Sequence, residues 1–172
     1  STLEQAEARW PDAPGLPLVR ASWLDDAGLD TAALGVARDA AERMPDQPAL
    51  IQQAALLELR AGEPEQARQR LEAALEVHPD DAHLLNDLAY LTVEAGVHDD
   101  AVLAMARRAV DQQPANGAFL DTLGWVLLQR GEGAEAVATL ERAVAVVPED
   151  PVVAQHLAAA RAQAPAPPPR TR

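Results

Sequence analysis

Apolar residues along the chain recur at helical spacing, and one stretch shows the pattern most fully. Residues 117–150 read GAFLDTLGWVLLQRGEGAEAVATLERAVAVVPED, with apolar positions three and four apart on either side of Gly131. This spacing predicts two helices joined by a short turn. Gly131 stands where the first helix needs a left-handed exit residue. Pro148 ends the second helix because proline cannot continue one.

The same helix–turn–helix pattern recurs along the chain, with predicted repeats at residues 14–47, 48–81, 82–116 and 117–150. The repeat 82–116 is one residue longer, and the insertion is most simply placed in the turn Gly96–Asp99. Each first helix is expected to end at a glycine, and each pair of helices to approach closely at a small residue. The glycines are Gly28, Gly62, Gly96 and Gly131, and the small residues are Ala21, Ala55, Ala89 and Gly124.

Incomplete repeats are predicted at both ends of this pattern. Leu3, Ala6 and Pro11 match second-helix positions, so residues 1–13 are expected to form the second half of a preceding repeat. Residues 151–163 match a first helix and are predicted to cap the last apolar face. Residues 164–172, APAPPPRTR, lack apolar periodicity and are predicted to be a disordered, proline-rich tail.

The 34-residue repeat resembles the tetratricopeptide repeat (TPR), and the resemblance covers about residues 2–163. It implies an all-α fold, a right-handed α-α superhelix with a C-terminal capping helix. First helices would line a concave groove and second helices the convex back. The expected function is a non-catalytic protein–protein interaction scaffold that binds a peptide or protein segment in the groove. The alternative is a structural subunit of a larger envelope or export assembly, acting through self-association or edge contacts.

The TPR register assigns the groove to five positions of each repeat. Asn86 with Tyr90, and Asp121 with Trp125, place a polar residue four positions before an aromatic one on the same helix face. An asparagine amide can pair with a peptide backbone, and an aromatic ring adds contact area. Alternatively, Tyr90 and Trp125 pack between neighbouring helices. The same register places Glu94 on the groove face, and His156 stands beside Gln155 on the capping helix. The expected peptide-binding residues are Gln52, Arg60, His83, Asn86, Tyr90, Asp121, Trp125, Gln129 and Gln155.

Charge narrows the expected partners. The net charge of −13 disfavours nucleic acid and anionic membrane surfaces, and it favours a neutral or basic peptide. The sequence has no run of about 18 apolar residues, which argues against direct membrane insertion. A homo-oligomer remains open as a further partner.

No residue pattern indicates catalysis. The chain has no cysteine, and its four histidines show no metal-ligand spacing, so no catalytic residue, metal site or cofactor is predicted. We therefore expect the protein not to be an enzyme. All basic residues are arginine, which together with the alanine content suggests a bacterial source. Similarity to the C-terminal repeats of bacterial TPR proteins, including exported lipoproteins and exopolysaccharide-associated proteins, slightly favours the periplasm or envelope over the cytoplasm.

Overall fold

The computed structural model describes residues 2–10 and 13–163, and over these residues it contains ten α-helices and no strand. The all-α class predicted from the sequence is therefore confirmed for the described part of the chain. Pro11 and the predicted tail 164–172 lie outside the described residues. The helices are α1 Thr2–Arg9, α2 Gly15–Asp26, α3 Asp30–Arg43, α4 Pro48–Arg60, α5 Pro64–Val77, α6 Ala82–Glu94, α7 Asp100–Gln112, α8 Gly117–Gln129, α9 Gly133–Val146 and α10 Pro151–Gln163.

The helices belong to two compact units, an N-terminal unit of residues 1–84 and a C-terminal unit of residues 85–172. In the N-terminal unit, each helix from α1 to α4 contacts the next helix in the chain, and α2 also contacts α4. In the C-terminal unit, each helix from α7 to α9 contacts the next helix in the chain, and α8 also contacts α10. Within each unit, therefore, first helices of successive repeats lie side by side as well as packing on second helices.

The turns that follow the first helices share one backbone geometry. Their glycines all have positive φ, between +70° and +84°. At Gly131 the backbone N–H donates to the Leu128 carbonyl, and the N–H of Glu132 donates to the Leu127 carbonyl, both at 2.9 Å. This pair of bonds is the Schellman motif, which ends a helix at a residue in the left-handed region. The glycine exits predicted from the sequence are confirmed.

The connection between α6 and α7 is longer than its counterparts. Three residues separate α2 from α3, α4 from α5 and α8 from α9, whereas five residues, 95–99, separate α6 from α7. Asp99 ends this connection by accepting hydrogen bonds from the N–H groups of Ala101 and Val102, at 3.0 and 3.1 Å. A carboxylate in this position satisfies backbone donors that the first turn of α7 leaves unpaired. The longer connection is thus accommodated without a break in either helix.

Paired helices approach closely where the sequence has small residues. Ala21, Ala55 and Ala89 are buried at the eighth position of their repeats. At the same position, a Cβ atom built on Gly124 would lie 2.8 Å from Cδ2 of Leu140 in α9, and closer still to its Cγ. No real side chain tolerates such a distance, so α8 and α9 pack as closely as they do because residue 124 has no side chain.

We expect Gly124→Ala to destabilise the protein by about 1–3 kcal/mol, because the added methyl group overpacks the α8–α9 contact. Gly35→Ala is the matched control, since Gly35 lies inside α3 and no atom stands within 4 Å of the position that a Cβ would take. There, alanine should stabilise the helix by about 0.5–1 kcal/mol. Urea unfolding followed by circular dichroism measures both changes. Stabilisation by both substitutions would contradict the close α8–α9 contact.

Candidate functional site

Side chains from α6, α8 and α10 form a connected group in the C-terminal unit. The indole Nε1 of Trp125 donates a hydrogen bond to Oε1 of Glu94 at 2.8 Å. The Trp125 ring also stacks on the imidazole of His156, with ring centroids 4.3 Å apart and planes 16° apart. Nδ1 of His156 lies 2.9 Å from Oδ1 of Asp121. Tyr90 belongs to the same group, because the charges of both carboxylates affect its pKa. We call the group the aromatic–carboxylate cluster, and its members are Tyr90, Glu94, Asp121, Trp125 and His156.

Helical spacing and the packing of first helices together build this cluster. Asp121 and Trp125 lie one turn apart on α8, and Tyr90 and Glu94 lie one turn apart on α6, so each pair shares a helix face. Because α8 contacts α10, His156 reaches both members of the α8 pair. A carboxylate accepts hydrogen bonds and cannot donate them, so Nδ1 of His156 carries the hydrogen in its bond to Asp121.

The cluster has a negative electrostatic character. Burial raises the pKa of the Tyr90 hydroxyl, and the charges of Glu94 and Asp121 raise it further. Both carboxylates therefore oppose the formation of another negative charge at this surface. Glu94 is exposed, whereas Asp121 is mostly buried and pairs with His156. The solvent-accessible part of the cluster therefore consists of two partly exposed aromatic rings and the exposed carboxylate of Glu94.

Asn86 lies one turn before Tyr90 on α6 and is only 7% exposed. Its Nδ2 donates to Oδ1 of Asp87 at 3.3 Å, and its own Oδ1 is buried without a hydrogen-bond partner. An unpaired buried acceptor is unfavourable compared with the same group in water. The Asn86 side chain is therefore placed beneath the surface and not on it.

Comparison with known proteins identifies the repeat. Two family models, both described as tetratricopeptide repeat, match residues 53–118 and 92–164. The chain belongs to the TPR family. No curated protein sequence matches the chain significantly.

Solved structures show the same fold at low sequence identity. A thermophilic TPR protein from Thermus thermophilus has a TM-score of 0.69 and 22% identity, with 88% of each chain covered. MamA (residue 41 to the end) from Desulfovibrio magneticus RS-1 has a TM-score of 0.69 and 16% identity, with 88% of this chain and 85% of that chain covered. A TPR protein from Parabacteroides merdae has a TM-score of 0.64 and 18% identity, with 87% and 59% covered. The predicted fold class, an all-α TPR superhelix, is thus confirmed. TPR proteins are typically protein-interaction scaffolds, and the fold is typically non-catalytic.

The remaining residues predicted for the TPR groove lie outside the aromatic–carboxylate cluster. In the N-terminal unit, Gln52 is half-buried, and Arg60 is exposed and forms an ion pair with Asp25 of α2. His83 is exposed in the first turn of α6. Gln129 and Gln155 are exposed, at the end of α8 and within α10 of the C-terminal unit. Of the predicted residues, the structure joins Tyr90, Asp121 and Trp125 through one set of interactions.

A second charged group, which the sequence patterns did not indicate, lies in the N-terminal unit. Glu58 of α4 is fully buried and accepts hydrogen bonds from Arg70 of α5 and Arg38 of α3, the shortest to each being 2.7 and 2.9 Å. Burial by itself raises the pKa of Glu58, but the hydrogen bonds from Arg70 and Arg38 outweigh it and lower that pKa below its usual value. Arg38 also pairs with Glu63. This network joins three helices of the TPR core and gives Glu58 a structural role.

Other kinds of site find no support in the described residues. Across residues 2–10 and 13–163, no group of three or more His, Cys, Asp or Glu side chains is arranged to hold a metal ion. None of the helices in that part of the chain has both the length and the apolar character to cross a membrane.

We expect Glu58→Gln to lower the free energy of unfolding by about 1.5–3 kcal/mol at pH 7, because two charged hydrogen bonds are lost. The lowered pKa means that this contribution is present above the unfolded-state pKa of about 4.3 and is lost as the pH falls through the folded-state value. Urea unfolding of both proteins from pH 7 to pH 3 measures the difference. A difference that stays constant over this range would show that the Glu58 charge does not stabilise the fold.

Proposed function

We propose that this TPR protein is a non-catalytic scaffold that binds a peptide or protein segment on the face formed by α6, α8 and α10. The observation that carries the proposal is the aromatic–carboxylate cluster, in which three successive first helices contribute side chains to one surface. Catalytic residues, a metal and a cofactor have no part in this function. Nucleic acid is not among the proposed partners.

The composition of this face suits a polypeptide. Trp125 and Tyr90 are half-buried, so each ring is held in place while part of it stays accessible. Aromatic residues with a polar tip are common at the centres of protein interfaces. Gln129 and Gln155 are exposed on the flanking parts of α8 and α10, and their amides can both donate to and accept from a peptide backbone.

The charge of the face favours a segment that carries arginine or lysine. Glu94 is exposed beside Trp125, and the pKa of Tyr90 is raised by burial first and then by the charges of Glu94 and Asp121. The chain as a whole carries a net charge of −13, which attracts basic segments over a longer range. A guanidinium group can also stack on an indole or phenol ring, in addition to pairing with a carboxylate.

A pair of labelled peptides tests the proposal. The peptides share one apolar pattern and differ only in having arginine or glutamate at the charged positions, and fluorescence anisotropy measures their affinity. We expect the arginine peptide to bind more tightly and its affinity to fall as salt rises, because the surface charges are screened. Trp125→Ala should weaken binding about 30-fold, which corresponds to an interface hot spot of about 2 kcal/mol.

One further variant tests the charge, and two control variants test whether the effects are specific. Trp23→Ala removes an exposed tryptophan of α2 and should leave peptide affinity unchanged. Glu94→Gln keeps an oxygen that can accept the Trp125 hydrogen bond but removes the charge, so it should weaken the arginine peptide selectively. Glu149→Gln, at an exposed carboxylate in the connection between α9 and α10, should have no such effect. Equal affinity for the two peptides, or undiminished binding by Trp125→Ala, would refute this assignment of the site.

A further inference from the structure

A segment rich in proline and arginine directly follows α10, the helix that contributes His156 to the candidate site. Residues 164–172 read APAPPPRTR and lie outside the described residues. They carry two arginines, Arg170 and Arg172, and no acidic residue, although the chain as a whole has a net charge of −13. The segment therefore has the charge that the acidic face formed by α6, α8 and α10 favours.

The helices of this face end at one edge of it. The connections from α8 to α9 and from α9 to α10 are short turns, and the helices on either side of each turn contact each other. The chain reverses direction at both turns, so α8 and α10 run in parallel and end together, at Gln129 and Gln163. Glu94 is the last residue of α6, and it bonds Trp125 one turn before Gln129. The segment 164–172 therefore leaves α10 at the edge where Glu94 lies.

The length of the segment matches the width of the face. Packed helices lie about 8–10 Å apart, so the distance from α10 across α8 to α6 is about 16–20 Å. Residues 164–170 include four prolines, and in an extended polyproline conformation they span about 22 Å, at about 3.1 Å per residue. Arg170 can therefore reach Glu94 while the prolines cross Trp125.

The face offers a suitable contact for each part of the segment. Polyproline segments dock in grooves lined by aromatic side chains, and the half-buried rings of Trp125 and Tyr90 provide such a surface. Stacking on His156 holds the Trp125 ring in place. Proline has no backbone N–H, but its carbonyl oxygen can accept a hydrogen bond from the exposed amide of Gln129. The exposed carboxylate of Glu94 can pair with a guanidinium group.

We propose that residues 164–172 fold back on the aromatic–carboxylate cluster of their own chain. The prolines then lie against Trp125 and Tyr90, and Arg170 pairs with Glu94. This contact rests on the proposed peptide-binding function, because the same side chains serve both, and it makes the segment a competitor of an external peptide.

Tethering determines how strongly the segment competes. A segment joined to its binding site by a short flexible linker is present at an effective concentration on the order of 1 mM. A segment that binds the face with an intrinsic Kd of about 0.1 mM would therefore weaken the binding of an external peptide about 10-fold. A weak contact is thus enough to regulate access to the face.

Neutralising the two arginines of the segment tests the competition. In the full chain, Arg170→Gln with Arg172→Gln should tighten binding of the labelled arginine peptide about 10-fold, because the competing segment loses its charge. The matched control is Arg107→Gln with Arg142→Gln, which removes two positive charges from exposed positions on α7 and α9. The control should change the peptide affinity far less, and circular dichroism checks that both double variants fold.

A second measurement needs no external peptide and so separates this contact from the proposed function. The indole N–H of Trp125 donates to Glu94, and its resonance in a proton–nitrogen NMR correlation spectrum is identified by its loss in Trp125→Phe. Arg170→Gln with Arg172→Gln should shift this resonance and leave the indole resonance of Trp23 on α2 unchanged. The shift should be the same at every protein concentration, because the contact lies within one chain.

Three outcomes overturn the proposal. An unchanged Trp125 resonance in the double variant would refute the contact, and the peptide-binding function would stand if the arginine peptide still binds through Trp125. An equal gain in peptide affinity in the control double variant would show that net charge, and not occupancy of the face, sets the affinity. A resonance shift that disappears on dilution would assign the segment to the face of another copy.

Discussion

The close contact between paired helices is the constraint on which the candidate site depends. At Gly124 the backbone of α8 approaches Leu140 so closely that even a methyl group has no room. Each closely packed helix pair forms a compact layer, so the first helices of successive layers can lie side by side. Because α8 and α10 are two such first helices, His156 of α10 contacts both Asp121 and Trp125 of α8. A wider helix pair would move these side chains out of hydrogen-bonding range.

Charged side chains have two different roles in this fold. Glu58 is buried and hydrogen-bonded by two arginines, so its charge is compensated within the core. Glu94 is exposed and pairs with the neutral indole of Trp125, so its charge remains available to a partner. A compensated buried charge contributes to the stability of one conformation, whereas an exposed uncompensated charge contributes to recognition. This difference separates the core of the N-terminal unit from the candidate site of the C-terminal unit.

Equivalent positions of the repeat differ in their exposure. A stacked repeat buries its apolar face against its neighbours, so a position is buried wherever a neighbouring helix covers it. Trp23 is exposed at a position where Val126 and Ala160 are buried, and Ala158 is exposed where Ala89 is buried. The aromatic–carboxylate cluster is built around other side chains than these exposed positions.

Sequence alone determined the repeat, the all-α class and the glycine exits, because these depend on local spacing and on backbone conformations that few residues adopt. It also placed Asp121 and Trp125 on one helix face, since that relation lies within a single helix. Only the tertiary structure decided that His156 joins them, that Glu58 is buried between two arginines, and that Asn86 lies beneath the surface. Glu58 and the arginines, like His156 and Asp121, are 12 to 35 residues apart in the chain. Their contacts depend on how helices pack, and helical periodicity carries no information about the partner of a side chain on a neighbouring helix.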